Sequence, residues 1–484
     1  MKRRNGRGAK GTQGDGYVKN GQGQEQPAPV PTAQQAGESQ SRWGWIEAPV
    51  WTERMLAALE TGVKGGKWFR LIDKVYDARH LQTAWKQVSR NEGAAGVDHQ
   101  TVEKFGQKLE TNLTGLSEQL RKGEYKPQEV RRAWIPKPGS QERRPLGIPT
   151  VRDRVVQAAL RNVLEPIFEQ EFAEHSYGFR PRRGCKDALR RVEQLLKQGY
   201  TWIADADLKS YFDSIPHEGL MERVRERVAD GRVLELLEAF LKAKIMEDLN
   251  SREPESGTPQ GAVISPLLAN VYLDPLDQKK VQEGIERVRY ADDFVILCQS
   301  EAQAQQALEK VKKWTAENGL KLHPEKTRIV DINAKGGFDF LGYHFERSWK
   351  IPRKKSLEKI KAAIRAKTSR LNGRSLTANI ENVNRMLCGW FGYFKHSTRS
   401  TLKKVDCFVR QRLRRILRRR RGRSRGRVQG LDRIRYPNAY FAGLGLYSLE
   451  AEHIRACQPS RRQTINWRAG CGKPASPVRR GGER

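Results

Sequence analysis

The sequence is short of cysteine, of acid and of long apolar runs, and each shortage excludes something. Its six cysteines (Cys185, Cys298, Cys388, Cys407, Cys457, Cys471) are scattered over 484 residues with no Cys-x-x-Cys pair. That spacing argues against a disulfide framework and a zinc ribbon, and it suits a reducing, cytoplasmic-type compartment. No apolar stretch approaches the ~20 residues that span a bilayer, and no signal-like hydrophobic run follows the basic start, so no membrane is expected. Acidic residues number 56 against 91 Lys plus Arg, leaving a formal net charge of +35. An excess of that size is hard to carry without a polyanionic partner, and nucleic acid is the first choice. No internal repeat is visible.

At 484 residues, with 37 % hydrophobic positions, the chain is long enough for two or three domains with real cores. Residues 1–42 are rich in Gly, Gln, Lys and Arg and have almost no large apolar side chain, which predicts a disordered basic arm. From 43 to 130 the apolar spacing is helical, with one helix expected over 68–76 and another over 105–120. Residues 151–172, 185–196, 218–244 and 303–314 also read as helices. Residues 338–345 alternate aromatics at strand period. Beyond about 355 the pattern is helical and strongly basic, and 453–484 is a polar basic tail.

The most informative stretch is Tyr290-Ala291-Asp292-Asp293. Before it, Val288 and Tyr290 alternate with Arg287 and Arg289; after it comes the apolar run Phe294-Val295-Ile296-Leu297. Two strand-like runs joined by a tight corner predict a hairpin. Relaxed corners take Asn-Gly or Asp-Gly; two adjacent carboxylates repel unless a cation such as a divalent metal lies between them. Trp202 to Asp207 alternates like a strand and ends in an acid, followed by Tyr211 and Phe212. Asp207, Asp292 and Asp293 together offer the hard oxygen donors that two Mg²⁺ ions need for nucleotidyl transfer. The cations of 133–149, above all Lys137 and Arg144, and Lys326 further on, suit a triphosphate. Phe212 could lie under a sugar and leave no room for a 2′-hydroxyl. Gly257 and Gly261 allow close backbone approach to a ligand beside Gln260. Ser176 to Gly184 is an aromatic-basic loop suited to a nucleic-acid backbone. Residues 410–427 hold 11 Arg and no acid, a run that repels itself without a polyanion.

Five motifs in this order resemble the reverse transcriptases encoded by bacterial group II introns, of the type without an endonuclease domain. They are Arg-Pro-Leu-Gly-Ile-Pro (144–149), Ser-Tyr-Gly-Phe-Arg-Pro (176–181), Asp-Leu-Lys-x-Tyr-Phe-Asp-x-Ile (207–215), Gly-Thr-Pro-Gln-Gly-x-x-x-Ser-Pro-Leu-Leu-Ala-Asn (257–270) and Tyr-Ala-Asp-Asp (290–293). The resemblance covers roughly 68–450. It implies an α+β, right-hand polymerase fold. Fingers and a ferredoxin-like palm would occupy 131–348, behind a helical extension over 43–130. An α-helical thumb and maturase region would occupy 349–452.

By the same resemblance, Asp207, Asp292 and Asp293 match the catalytic metal ligands for two Mg²⁺ ions. Asp205 has no counterpart and reads as a supporting acid. Lys137, Arg144 (with Arg143 as its alternative), Phe212, Gln260 and Lys326 match the nucleotide-binding positions. His323 stands where the family usually has Asn. Residues 384–394 and 443–449 resemble the maturase region that binds intron RNA; Trp390 and Tyr393 there read as core. Arg180, Arg414, Arg415, Arg418, Arg419, Arg420 and Arg421 are expected RNA contacts. The implied partners are a group II intron RNA, an RNA template with a DNA primer, dNTPs and target DNA, in the bacterial cytoplasm or on its nucleoid. The tail, with Cys457 and Cys471, shows no His-Asn-His constellation. Two other readings share the motifs: a host-recruited reverse transcriptase in repair or defence, and a splicing factor with a vestigial polymerase. The three intact acids speak against the latter.

Overall fold

The structure is a computed structural model. It describes residues 43–47, 50–136, 143–247, 250–278, 285–347, 349–369, 373–421 and 430–457, together with one strand pair near the N-terminus. That pair, β1 (Tyr17–Lys19) and β2 (Glu25–Pro27), is antiparallel and falls within the arm expected to be disordered. The rest of the arm and the tail beyond 457 lie outside the described residues. The chain divides into two compact units: 1–198, 204–298 and 302–328 in one, 199–203, 299–301 and 329–484 in the other.

The first unit begins with helices. In helix Ala78–Arg90 the Asp77 carboxylate caps the first turn, accepting from Arg79 N and His80 N, while Leu81, Ala84, Trp85 and Val88 are buried. That apolar stripe lies against helix Val151–Glu169, whose residues are buried along most of its length. Three expected helices are cut shorter. The helix over 105–120 breaks at Lys108, giving Val102–Gln107 and Leu109–Lys122. The helix over 218–244 is two, His217–Arg225 and Gly231–Leu241, and that over 68–76 is only Ile72–Tyr76. One residue explains the last two changes. The buried Asp230 carboxylate accepts from Arg232 N and Val233 N, and also from Leu71 N (2.6 Å) and Ile72 N (2.9 Å). It caps two helix starts at once, so neither helix runs on through it.

A four-stranded sheet follows in the order β4-β3-β6-β7, with β3 at Val130–Pro136, β4 at Arg143–Ile148, β6 at Ile245–Glu247 and β7 at Asn250–Arg252. β3 and β4 are antiparallel, with Ile135 opposite Arg144. A second sheet carries β5 (Trp202–Asp207), β8 (Glu286–Tyr290) and β9 (Asp293–Cys298), with β9 between the other two. Its β9 core, Phe294 to Leu297, is fully buried. This mixture of helices and separate sheets is the α+β class expected.

The second unit opens with β10 (Arg328–Asp331) and an antiparallel meander of β11 (Phe338–Phe340), β12 (Tyr343–Glu346) and β13 (Trp349–Pro352). The residues 338–345, read from their aromatics as strand-like, form a hairpin. It turns at Leu341-Gly342, both at positive φ, and brings the Phe338 and Phe345 rings together at 5.1 Å. Helices Lys354–Lys367, Leu376–Phe394 and Arg399–Arg420 then close a core of Ile360, Ile364, Ile380, Val383, Leu387, Leu402, Val405 and Leu413. Trp390, half-buried, packs against it, and the half-buried Tyr393 donates its hydroxyl to Leu341 O.

Candidate active site

The acidic corner is a two-residue hairpin turn. Tyr290 pairs with Asp293, leaving Ala291 and Asp292 to make the corner. Ala291 has φ of +61°, a conformation in which glycine is relaxed and alanine is strained by about 1–2 kcal/mol. Three groups hold it there. The guanidinium of Arg289, 1 % exposed, donates to Ala291 O (3.0 Å), to Asn270 Oδ1 (2.8 Å) and to Asp277 Oδ2 (2.6 Å). Asn270 in turn donates from Nδ2 to Gly178 O (2.9 Å). Gly178 presses on the corner so closely that a Cβ there would lie 2.1 Å from Ala291 N. Backbone hydrogen bonds Tyr177 N to Arg289 O (2.8 Å) and Arg289 N to His175 O (3.0 Å) lock the same loop to β8.

Asp207 ends β5, beside β9, and its carbonyl accepts from His323 N at 2.7 Å. The sheet thus brings Asp207 to the corner. Burial pushes the Asp292 carboxyl above its usual range and the Asp207 charge pushes it further; Arg144 and Arg289 oppose the rise. Those four charges therefore share one neighbourhood. Lys326 donates its ammonium directly to Asp207 Oδ2. Asp293, the first residue of β9, is half-buried. Asp205, two residues before Asp207 on the same strand, pairs with Arg328 (3.7 Å), the supporting role expected of it.

Next to the turn after β5, three glycines allow close backbone packing. Gly257 (φ +91°) lies against Asp213, where a Cβ would meet Asp213 Cα at 2.8 Å; Gly261 (φ +112°) lies against Gly147 O, which a Cβ would meet at 2.5 Å. Gly147 has no room of its own, because a Cβ there would meet Val130 at 2.8 Å and Pro259 at 3.0 Å. Hydrogen bonds Thr258 N to Phe212 O and Gly147 N to Gln260 O, both 2.7 Å, tie the glycine loop to the turn after β5 and to β4. Gln260 donates from Nε2 to Asp213 Oδ2 (3.0 Å). Burial raises the Asp213 carboxyl, while Arg132, the Gln260 hydrogen bond and Arg144 draw it down. Phe212, Gln260 and Arg144 are thereby carried by one tied assembly.

Among the described residues, no three His, Cys, Asp or Glu side chains stand close enough to hold a metal ion between them. The chemistry of the donors nonetheless fits a hard divalent cation. The Asp207 charge lies close enough to disfavour the charged form of Asp292, and the Lys326 ammonium already sits on Asp207.

A family model for the reverse transcriptase (RNA-dependent DNA polymerase) matches residues 135–345, and one for the group II intron maturase-specific domain matches 357–435. Protein YkfC of Escherichia coli (strain K12) is 34 % identical over 319 residues, covering 57 % of this chain and 83 % of YkfC. The group II intron-encoded protein LtrA of Lactococcus lactis subsp. cremoris is 38 % identical over 201 residues, 41 % of this chain and 33 % of LtrA. Among solved structures, the reverse transcriptase-containing Cas6-RT-Cas1–Cas2 partial complex matches at TM-score 0.33 and 26 % identity, over 51 % of this chain and 41 % of that one. The chain belongs to the group II intron-encoded reverse transcriptase/maturase family. It is an RNA-directed DNA polymerase.

Within this reverse transcriptase two expected RNA contacts face inward. Arg180 is 6 % exposed: its guanidinium forks onto Glu169 (2.8 Å to each oxygen), donates to Ala173 O and Ser176 O, and lies over the Phe172 ring. Arg414, also 6 % exposed, donates to Tyr436 O and Asn438 Oδ1 (2.9 Å each) and lies over Phe441. Both are structural staples, because buried guanidinium groups must satisfy their N–H donors internally. Arg415 is half-buried, and Arg418 makes a 3.6 Å pair with Asp432. Arg419, Arg420 and Arg421 are exposed at the end of helix Arg399–Arg420. Lys137 lies outside the described residues, as does 422–429.

Sequence reasoning overlooked Arg289, Asn270, Asp277 and Asp213. The signal for Arg289 was present: in β8 it alternates with the half-buried Tyr290 and the buried Val288, yet β8 is shielded on both faces. No helix of the described residues is long and apolar enough to cross a membrane.

Proposed function

We propose that Asp207, Asp292 and Asp293 hold two Mg²⁺ ions with which this enzyme extends a DNA primer on an RNA template. The observation that supports this most is the mutual repulsion of Asp207 and Asp292 in a corner held rigid by Arg289. When bound, Mg²⁺ supplies Lewis acidity at the attacking 3′-hydroxyl and the departing pyrophosphate. The protein's own residues place the reactants. Arg144 and Lys326, together with Lys137, hold the triphosphate. Lys326 neutralises Asp207 in the free enzyme and exchanges that partner for phosphate oxygens when nucleotide enters. Phe212 lies under the sugar and excludes a 2′-hydroxyl. Gln260, fixed by Asp213, lines the nucleotide pocket.

The second unit binds a group II intron RNA through phosphate contacts that include Arg419, Arg420 and Arg421, and so assists splicing and insertion of that intron into target DNA. Primer extension on an RNA template, run beside a splicing assay with the flanking intron, tests both halves. Mg²⁺-dependent cDNA synthesis and accelerated splicing are expected. Synthesis at full rate by Asp292→Asn overturns the metal assignment, and splicing indifferent to the protein overturns the maturase role.

A further inference from the structure

Phe179 is the most conspicuous side chain near the site that the mechanism above does not use. It is 46 % exposed, an unusual position for a phenylalanine. Its backbone has φ of +58°, a conformation that a bulky L-residue adopts only when its surroundings impose it. Those surroundings are on both sides of it. Gly178 is wedged against the Ala291 backbone and held by Asn270, and Arg180 is buried on Glu169 and the carbonyls of Ala173 and Ser176. With both neighbours fixed, the direction of the Phe179 side chain is fixed too. It meets the Phe212 ring edge to face, centroids 6.2 Å apart and planes at 78°. Phe212 also meets Tyr211 at 5.6 Å and 62°, and the buried Tyr211 hydroxyl is anchored on Ala269 O.

We infer that Phe179 is a positioning residue for sugar selection: its edge holds the Phe212 ring in the orientation that excludes a 2′-hydroxyl. A ring in contact with two fixed aromatic neighbours has less freedom to tilt away from an intruding hydroxyl than a ring with one. The strain stored at Phe179 keeps an exposed aromatic where only the nucleotide gate has use for it. This rests on the reading of Phe212 as the gate.

The test is the ratio of kcat/KM for dNTP over rNTP in primer extension, measured for F179A, F179Y, F212V and the F179A/F212V double variant. F179A should lower the ratio roughly threefold to tenfold, the size of one edge-to-face contact. F179Y, which keeps the ring edge, should restore it. In the F212V background, F179A should add nothing, because its effect passes through Phe212. Thermal stability should be close to wild type for F179A, since the ring is half-exposed. If F212V leaves the ratio unchanged, the gate reading itself fails. If F212V changes it and F179A does not, or if F179A adds its full effect on top of F212V, the positioning role of Phe179 is overturned.

Discussion

Gly178→Ala puts the link between the Ser176–Pro181 loop and the catalytic corner to direct test. The new Cβ would lie 2.1 Å from Ala291 N, 2.8 Å from Tyr290 C and 2.9 Å from Ala291 Cα. Ordinary contact begins at 3.4 Å, so loop and hairpin must part by 3.4 less 2.1, or about 1.3 Å. All three atoms are backbone and cannot rotate aside. Gly178 itself is not at positive φ, so the penalty is steric rather than conformational. Overpacking of this kind costs about 1–3 kcal/mol. The larger effect is on rate, because Asp292 is the next residue and a misplacement of about 1 Å costs roughly a hundredfold. Single-turnover primer extension should therefore show kcat down about a hundredfold with template affinity unchanged. Gly115→Ala is the matched control: it lies in a helix with nothing within 4 Å of the new Cβ. It should leave the rate alone and stabilise the helix by up to ~1 kcal/mol. Wild-type extension by Gly178→Ala would refute the view that loop and hairpin form one positioned part.

Other expectations follow from the same contacts. Asp292→Asn should abolish cDNA synthesis while RNA affinity stays near wild type, read by filter binding. Replacing Arg419, Arg420 and Arg421 with Gln should flatten the salt dependence of RNA binding by about 2–3 in log–log slope, and an unmoved slope would remove them from the interface. Arg180→Gln should instead cost roughly 3 kcal/mol of stability, seen as a lowered denaturation midpoint with the salt slope intact, because it removes the buried fork on Glu169 and leaves that carboxylate only Arg183 at 3.9 Å. Burial pushes the Asp274 carboxyl up to about 6. The native state then keeps a proton that the unfolded chain releases, so stability falls as pH climbs from the ordinary 3.8 to about 6 and is level above. Asp274→Asn should erase that slope and stabilise the protein at neutral pH, by on the order of 3 kcal/mol at most; a wild-type slope in the variant would reject the assignment.

Much of the polymerase site was legible in one dimension because its parts are local. Strand alternation before the corner and the apolar run after it mark a hairpin; an Asp-Asp pair there reads by itself as a solvated acidic turn, and the other motifs in the chain turn that reading toward a cation site. Asp207 at a strand end and Gly257 and Gly261 around Gln260 are equally local signals. The late start of the helix at Ile72 was not legible, since Asp230 caps residues 71 and 72 from 158 positions away or more. The aromatics of 338–345 keep a period of two within 338–340 and within 343–345, and the run turns back on itself at Leu341-Gly342, where the phase breaks and φ is positive.

What the sequence alone determined was the inventory: three acids, their cations and a polyanion-binding charge excess, each written in residue type and short-range spacing. Which arginines meet the partner was decided only by tertiary structure. Helix Arg399–Arg420 carries arginine on every face, so no periodicity separates Arg414 from Arg419. The segment folding back at 436–441 does, by offering Arg414 a carbonyl, an amide oxygen and a ring that satisfy its charge internally. The same is true of Arg180 and Arg289. A guanidinium on paper is a phosphate ligand or a staple equally well, and the difference lies in whether distant acceptors close around it.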